Sequence, residues 1–202
     1  MLKKRITKLL IGTNNKGKFK EITNLLPKNI NIFSTSQFKL KSPREYGKSF
    51  EENSLIKSKF FSKKAKMLCL ADDSGLEIDL LNKKPGIYSA RWAGKNKDFG
   101  MAMKKIQKLM EKNDLLSKYN RRAFFVCSLS VYFPDGKNKV FNGRVNGHLQ
   151  FPPKGLNGFG YDPIFVAKGY RKTFGEMNFH YKERISHRNI AFKKLIRFLK
   201  DK

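Results

Sequence analysis

Four stretches of the chain carry side chains whose types and spacing could do chemistry. In "LCLADDSGLEI", residues 68–78, Asp72 and Asp73 follow a short apolar run. Asp first and Gly fourth, as in Asp72-Asp73-Ser74-Gly75, is a type I turn signature. The same pair also suits a hard divalent cation such as Mg²⁺, which prefers carboxylate and water oxygens. Along an extended chain successive side chains face opposite ways. One carboxylate would then point into a pocket while the other holds the backbone.

"GTNNKGKF", Gly12 to Phe19, lies between an apolar run and a helical pattern. Gly12, Gly17 and Lys18 fit the phosphate-binding pattern G-x-x-x-x-G-K-[ST]. Phe19 breaks it, because that position needs a hydroxyl to hold Mg²⁺. Backbone N–H groups at a helix start could still cradle phosphates, with Lys16 and Lys18 adding charge. If the loop takes a metal-bound nucleotide, carboxylates from elsewhere must hold the metal. An ordinary strand-to-helix turn is the alternative.

"NGFGYDPIF", Asn157 to Phe165, is rich in glycine and aromatics. Glycines admit close approach of a flat ligand; Phe159 and Tyr161 could stack on a base, and Asp162 could accept from a ring N–H. A loop whose aromatics belong to the core is the alternative. In "KERISHRNIAF", His187 and Arg188 fall in the first turn of a last helix, shortly after Lys182. Cations at a positive helix end are unfavourable without an anion, which argues for a ligand over a plain basic turn.

The elements that must position these groups follow from patterning. Lys8–Ile11 reads as a first strand, and its apolar part is too short for a signal peptide despite the basic start. Phe19, Ile22, Leu25 and Leu26 give a helix over 18–26, ended by Pro27. "NINIF" alternates like a strand. Ser49 and Glu52 form a capping box that opens a helix from Phe50 to about Lys66. "MLCLA" is a strand, followed by the turn-like "DDSG" and by "LEIDLL". Residues 98–112 read as a helix, and Ala123–Phe133 as a strand turned by "PDGK" into "VFNGRV". Ser186 caps a last helix with Ala191, Leu195, Ile196 and Leu199 on its apolar face. Alternation of helices and strands with a central hairpin gives an α/β chain on a mixed sheet.

With 202 residues the chain suits one domain, 1–202, or two closely joined lobes. No apolar run is long enough for a membrane span. Cys69 and Cys127 are far apart and lack CxxC spacing, so zinc and a disulfide are not expected and a reducing, cytoplasmic setting is. The 44 Lys and Arg against 16 acidic residues give a formal charge of +28. Such a chain attracts polyanions, but the lysines are spread along it as on a solvated surface. No helix-turn-helix, RNA-recognition or zinc signature names a specific nucleic acid.

"GTNNKGKFKEI", "SFEENSLIKSKF", "ADDSGLEIDLL", "PGIYSARWAG", "GFGYDPIF" and "ISHR" occur in the order and spacing of the Ham1/RdgB family, and the chain resembles it from about Leu9 to Leu199. These are Mg²⁺-dependent inosine and xanthosine triphosphate pyrophosphatases. The resemblance implies an elongated mixed sheet flanked by helices, two lobes around a nucleotide cleft, a homodimer, and a purine nucleoside triphosphate as substrate. It implies that Thr13, Asn14, Asn15, Lys16, Gly17 and Lys18 bind phosphates and sugar, and that Lys57 reaches the triphosphate. Asp73 takes the place of the catalytic, metal-holding carboxylate, and Ser74 contacts substrate. Phe159, Gly160, Tyr161 and Asp162 resemble the base-binding strip; Lys182, His187 and Arg188 resemble the residues that close on the purine. The family usually shows two acidic residues before the loop glycine, where this chain has Arg44 and then Glu45. Glu45 is the second metal ligand expected here. A phosphate-releasing P-loop NTPase and a non-catalytic nucleic-acid-binding module are the rival readings.

Overall fold

The computed structural model describes residues 6–112 and 121–200. Six strands form a mixed sheet in the order β2-β1-β3-β4-β5-β6. They are β1 (Lys8–Ile11), β2 (Asn31–Ser34), β3 (Cys69–Ile78), β4 (Arg122–Tyr132), β5 (Asn138–Leu149) and β6 (Phe165–Ala167). Around them, among the described residues, lie α1 (Lys16–Leu25), α2 (Phe50–Ala65), α3 (Ser89–Trp92), α4 (Phe99–Lys112), α5 (Phe179–Ile185) and α6 (His187–Lys200). No described helix is long and apolar enough to cross a membrane.

The chain divides into two compact units, and the boundary falls inside β3, β4 and β5. The first holds residues 1–73, 127–143 and 188–202. Its β1 pairs in parallel with β2 and with β3, Leu10 opposite Cys69 and Ile11 opposite Leu70. Its main core gathers Leu9, Ile11, Ile22, Leu70, Cys127, Leu129, Ala191 and Leu195, and Phe19 packs against it. Gly12 ends β1 where a side chain would not fit: a Cβ would sit 2.8 Å from both Cys69 Sγ and the Phe61 ring. The loop "TNN" leaves the strand from that tight spot.

The second unit holds residues 74–126 and 144–187. Its core is more aromatic: Phe125, Phe165 and Phe174 pack with Leu76, Ile78, Ile106 and Ile164. The Phe125 and Phe174 rings are parallel at 5.8 Å, and Phe125 lies 4.5 Å from Phe165. Here β6 runs antiparallel to β5, Leu149 opposite Phe165.

Most expected elements are present, with three differences. "DDSG" is not a turn: residues 69–78 form one uninterrupted strand, so Asp72 and Asp73 project from opposite sides of it. Burial of the whole segment favours strand pairing over the local turn that its composition suggests. Ser186 directly precedes the last helix, as expected, but it also terminates α5, a helix the sequence reading did not contain, and its N–H donates to the Glu183 carbonyl. The capping box of α2 is half reciprocal. Ser49 Oγ accepts from the Glu52 N–H at 3.1 Å, while the Glu52 carboxylate reaches the N–H of Lys48, one residue earlier.

Candidate active site

In the first unit the two carboxylates of β3 anchor two ionic clusters. Asp72 is fully buried. Its Oδ1 meets Lys18 Nζ at 2.9 Å, and its Oδ2 accepts from Arg188 Nε at 3.2 Å and Nη2 at 3.3 Å. The Arg188 Nη1 pairs with Glu21, also buried. The Cys127 thiol approaches Asp72 Oδ2 at 3.6 Å. Two cations and two anions are thus gathered from α1, β3 and the start of α6. Burial alone would raise the Asp72 pKa; Lys18, Arg188 and Lys57 outweigh it and hold the carboxyl well below the usual range. Burial opposes charge on Arg188 too, yet Glu21 and Asp72 keep it firmly protonated.

Asp73 has other company. Its Oδ1 accepts from Lys57 Nζ at 2.8 Å, and the same ammonium lies 2.9 Å from Glu45 Oε1. The Asp73 Oδ2 is buried without a hydrogen-bond partner. Burial pushes the Asp73 pKa up by more than Lys57 and Lys18 lower it, and Glu45 adds to the rise. For Lys57, burial works against the charge, but Asp73, Glu45 and Asp72 raise its pKa overall.

α2 brings Lys57 there by an unusual route. Its buried face is largely polar, with Asn53, Ser54, Lys57, Ser58 and Ser62, and Ser58 bonds Ser130 at 2.8 Å. The phosphate-loop candidates sit at the start of α1. Asn15 caps the helix, its Oδ1 accepting from the Lys18 N–H at 3.1 Å, and Thr13 Oγ1 accepts from the Asn15 N–H. Asn14 is exposed and paired with Thr35, and Lys16 is exposed. Gly17 lies within the first turn. Phe19 is core, so no hydroxyl stands where a P-loop needs one.

The oxygens around Lys57 suit a small hard cation. Asp73 Oδ2 has an uncommitted, buried lone pair, and Glu45 shares the same ammonium. Among the described residues no cluster of three His, Cys, Asp or Glu surrounds a metal. Mg²⁺ commonly binds through one or two carboxylates plus water and phosphate oxygens, and this donor set fits that habit.

The second unit assembles the other candidates. Lys182, almost fully buried, pairs with Asp162 Oδ2 at 2.6 Å. That oxygen also accepts from the Phe159 N–H at 2.8 Å, and Lys182 Nζ lies 5.0 Å from the Phe159 ring centre. Gly158 permits the arrangement: its φ is +76°, and a Cβ would collide with the Asp162 carboxylate. Gly160 has φ +69° beside the Phe99 ring. Phe159 is half-buried, and Ser74 is partly open on β3. His187 is buried against Phe125, the rings 4.9 Å apart and nearly parallel.

Two expectations change here. Tyr161 does not offer a stacking face: its ring packs edge-on to Phe99 and its hydroxyl donates to the Ser89 carbonyl at 2.9 Å. Its aromatic character belongs to the core. The cationic turn before α6 also needs no ligand to neutralise Arg188, because Glu21 and Asp72 already do so. Glu21 was missed by sequence reasoning. Its signal was an acidic residue three after Lys18, one turn along α1, placing both on the same helix face.

Comparison with known proteins agrees with the motif order. The model of the Ham1 family matches residues 9–198. The dITP/XTP pyrophosphatase of Zymomonas mobilis is 46% identical over 191 residues, covering 94% of this chain and 90% of its own. That of Caulobacter vibrioides is 44% identical, covering 93% and 95%. Among solved structures, a HAM1 protein from Coxiella burnetii superposes with a TM-score of 0.87 at 32% identity, covering 97% of this chain and all of that one. The Staphylococcus aureus Ham1 protein gives 0.83 at 39% identity, covering 96% and 99%. The mixed α/β fold is that of the Ham1 structural neighbours, and the similar curated proteins are pyrophosphatases, which hydrolyse phosphoanhydride bonds. The chain belongs to the Ham1 family.

Proposed function

We propose that the protein is a Mg²⁺-dependent nucleoside triphosphate pyrophosphohydrolase that converts XTP, ITP and dITP to the monophosphate and pyrophosphate. The observation that carries this reading is the buried, unpartnered Asp73 oxygen beside Lys57 and Glu45. The Zymomonas and Caulobacter relatives, both dITP/XTP pyrophosphatases, supply the substrate class.

Asp73 and Glu45 would hold the cation. When bound, Mg²⁺ neutralises phosphate charge and lowers the pKa of a coordinated water. Asp73 Oδ2 is the atom that takes the proton from the attacking water, and burial, which raises its pKa, makes it a stronger base than an ordinary carboxylate. Lys57 Nζ holds Asp73 in orientation and lies ready for a phosphate oxygen. Lys18 offers a second cation at the start of α1, where helix N–H groups also favour phosphate. One water is consumed as the α–β anhydride is cleaved.

In this reading, base recognition falls to Phe159, Lys182 and His187, through the 6-oxo edge, with Arg188, committed to Asp72 and Glu21, anchoring the start of α6. A site built to bond an oxo group rejects an amino group, because buried partners are left unpaired. The activity would clear non-canonical purines from the nucleotide pool. Two buried free cysteines suit a reducing, cytoplasmic setting, and the family resemblance suggests a homodimer.

The test is a panel of nucleoside triphosphates with Mg²⁺, assayed for pyrophosphate and orthophosphate. Pyrophosphate from ITP and XTP, with little turnover of ATP, is expected. Orthophosphate with a nucleoside diphosphate would replace this reading by the P-loop one. Steeply salt-dependent DNA binding with no turnover would replace it by the nucleic-acid one.

A further inference from the structure

A groove of about 570 Å³ opens on the outer face of α2, within the first unit. It is separate from the ionic clusters. Half-buried Leu55, Ile56 and Phe60 form its floor, and Tyr46, 75% exposed, stands at its edge. Arg44, Lys59 and Lys63 ring it, all exposed, and among the described residues none of the three is ion-paired. The one acidic lining residue, Glu52, is occupied by the Lys48 N–H. An apolar floor of this volume under a few charged groups has the make-up of a small-molecule site. Three cations against one committed carboxylate select an anion, and two rings select an aromatic body.

The segment that lines the groove also serves the candidate site. Arg44 and Tyr46 face the groove, while Glu45 between them reaches Lys57 at 2.9 Å. The alternation is that of extended chain. Gly47 ties the segment to α2 through its N–H and Asn53 Oδ1, 2.9 Å apart.

We propose that this groove binds a small aromatic anion, its ring over Leu55, Ile56 and Phe60 and its acid group among Arg44, Lys59 and Lys63. A bound molecule then fixes the segment that carries Glu45. This second part rests on the hydrolase reading; the first does not.

The probe is 8-anilinonaphthalene-1-sulfonate, an aromatic anion that fluoresces when shielded from water. Titration of the full chain should show one saturable site. Lys59→Glu with Lys63→Glu changes only exposed side chains and should weaken that site by about tenfold. Lys104→Glu with Lys108→Glu, on exposed positions of α4, lowers the net charge equally and should leave it unchanged. Equal loss in both double variants, or none in the first, overturns the proposal. So does a first variant that alters the sedimentation of the protein while the probe still binds, since the groove then covers a second copy. At saturating probe, the Mg²⁺ concentration for half-maximal ITP turnover should move by about fivefold in the parent and stay put in the first variant. An unmoved requirement with intact probe binding leaves the site standing and removes the coupling. A protein that binds the probe but turns over no triphosphate refutes the hydrolase reading alone.

Discussion

Asp72 and Asp73 are neighbours of the same residue type on one strand, and their surroundings divide them. On one side of β3, Asp72 has a cation at each oxygen: Lys18 is ion-paired with Oδ1, Arg188 bonds Oδ2, and the carboxyl pKa is driven down. On the other, Asp73 meets a single cation that it shares with Glu45, keeps one oxygen free, and has its pKa driven up. A buried carboxylate with two cations is a structural joint. One with fewer bonds than lone pairs is held ready for something else. Strand alternation makes this division possible, because it sends adjacent side chains into unlike environments.

The sharpest way to break the comparison is to remove each charge in turn. Asp72→Asn leaves Arg188 and Lys18 short of a buried partner and should cost about 3–5 kcal/mol in urea unfolding. Asp73→Asn should leave unfolding within about 1 kcal/mol of the parent and lower ITP turnover by about 10²–10⁴-fold. If Asp73→Asn keeps full turnover, the catalytic assignment fails. If Asp72→Asn proves neutral in stability, the structural assignment fails.

A smaller effect is expected at Glu21. Glu21→Gln keeps the shape but loses the charge facing Arg188, and about 1.5–3 kcal/mol of stability should go with it. The matching change at Glu45 should barely move stability, because Lys57 retains Asp73. It should instead raise the Mg²⁺ concentration needed for turnover.

Acid sharpens the contrast further. The folded pKa of Asp72 is depressed, so its stabilising share is fully present above the ordinary carboxylate range. That share is lost as pH falls through the range toward the folded value. Stability measured from pH 6 down to pH 3 should therefore drop less steeply in Asp72→Asn than in the parent. Asp73, with its pKa raised by burial against the pull of Lys57 and Lys18, contributes no stability that acid would remove.

The smallest effect expected is in the second unit. Tyr161→Phe deletes one hydroxyl that bonds the Ser89 carbonyl and should cost about 1 kcal/mol. A large loss of substrate affinity in that variant would restore Tyr161 to the base-binding strip.

Much of this was legible in the chain. β1 falls at Lys8–Ile11 as patterning predicted, and α2 starts at Phe50 because Ser49 caps it. α2 could not be read from apolar periodicity, since Asn, Ser and Lys occupy most of its inner face between Phe50 and Phe61; the cap was the usable signal. "DDSG" misled because turn propensity is local, whereas strand pairing across residues 69–78 is not. α5 was missed because its seven residues offer too short a window for periodicity, although Asn178 caps it through the Tyr181 N–H.

By itself the sequence determined which residues could do chemistry, the order of the family motifs, and the two-sided fate of adjacent aspartates once they lie on a strand. These depend on residue type and near neighbours. Only the tertiary structure decided which aspartate has a cation at each oxygen, because Arg188 lies 116 residues from Asp72 and Lys18 reaches it from α1. Only the tertiary structure, likewise, placed Glu45 rather than Arg44 on Lys57 and buried the Tyr161 ring. Coulomb attraction and desolvation act through space, so the partners of a charge follow from folding and not from sequence distance.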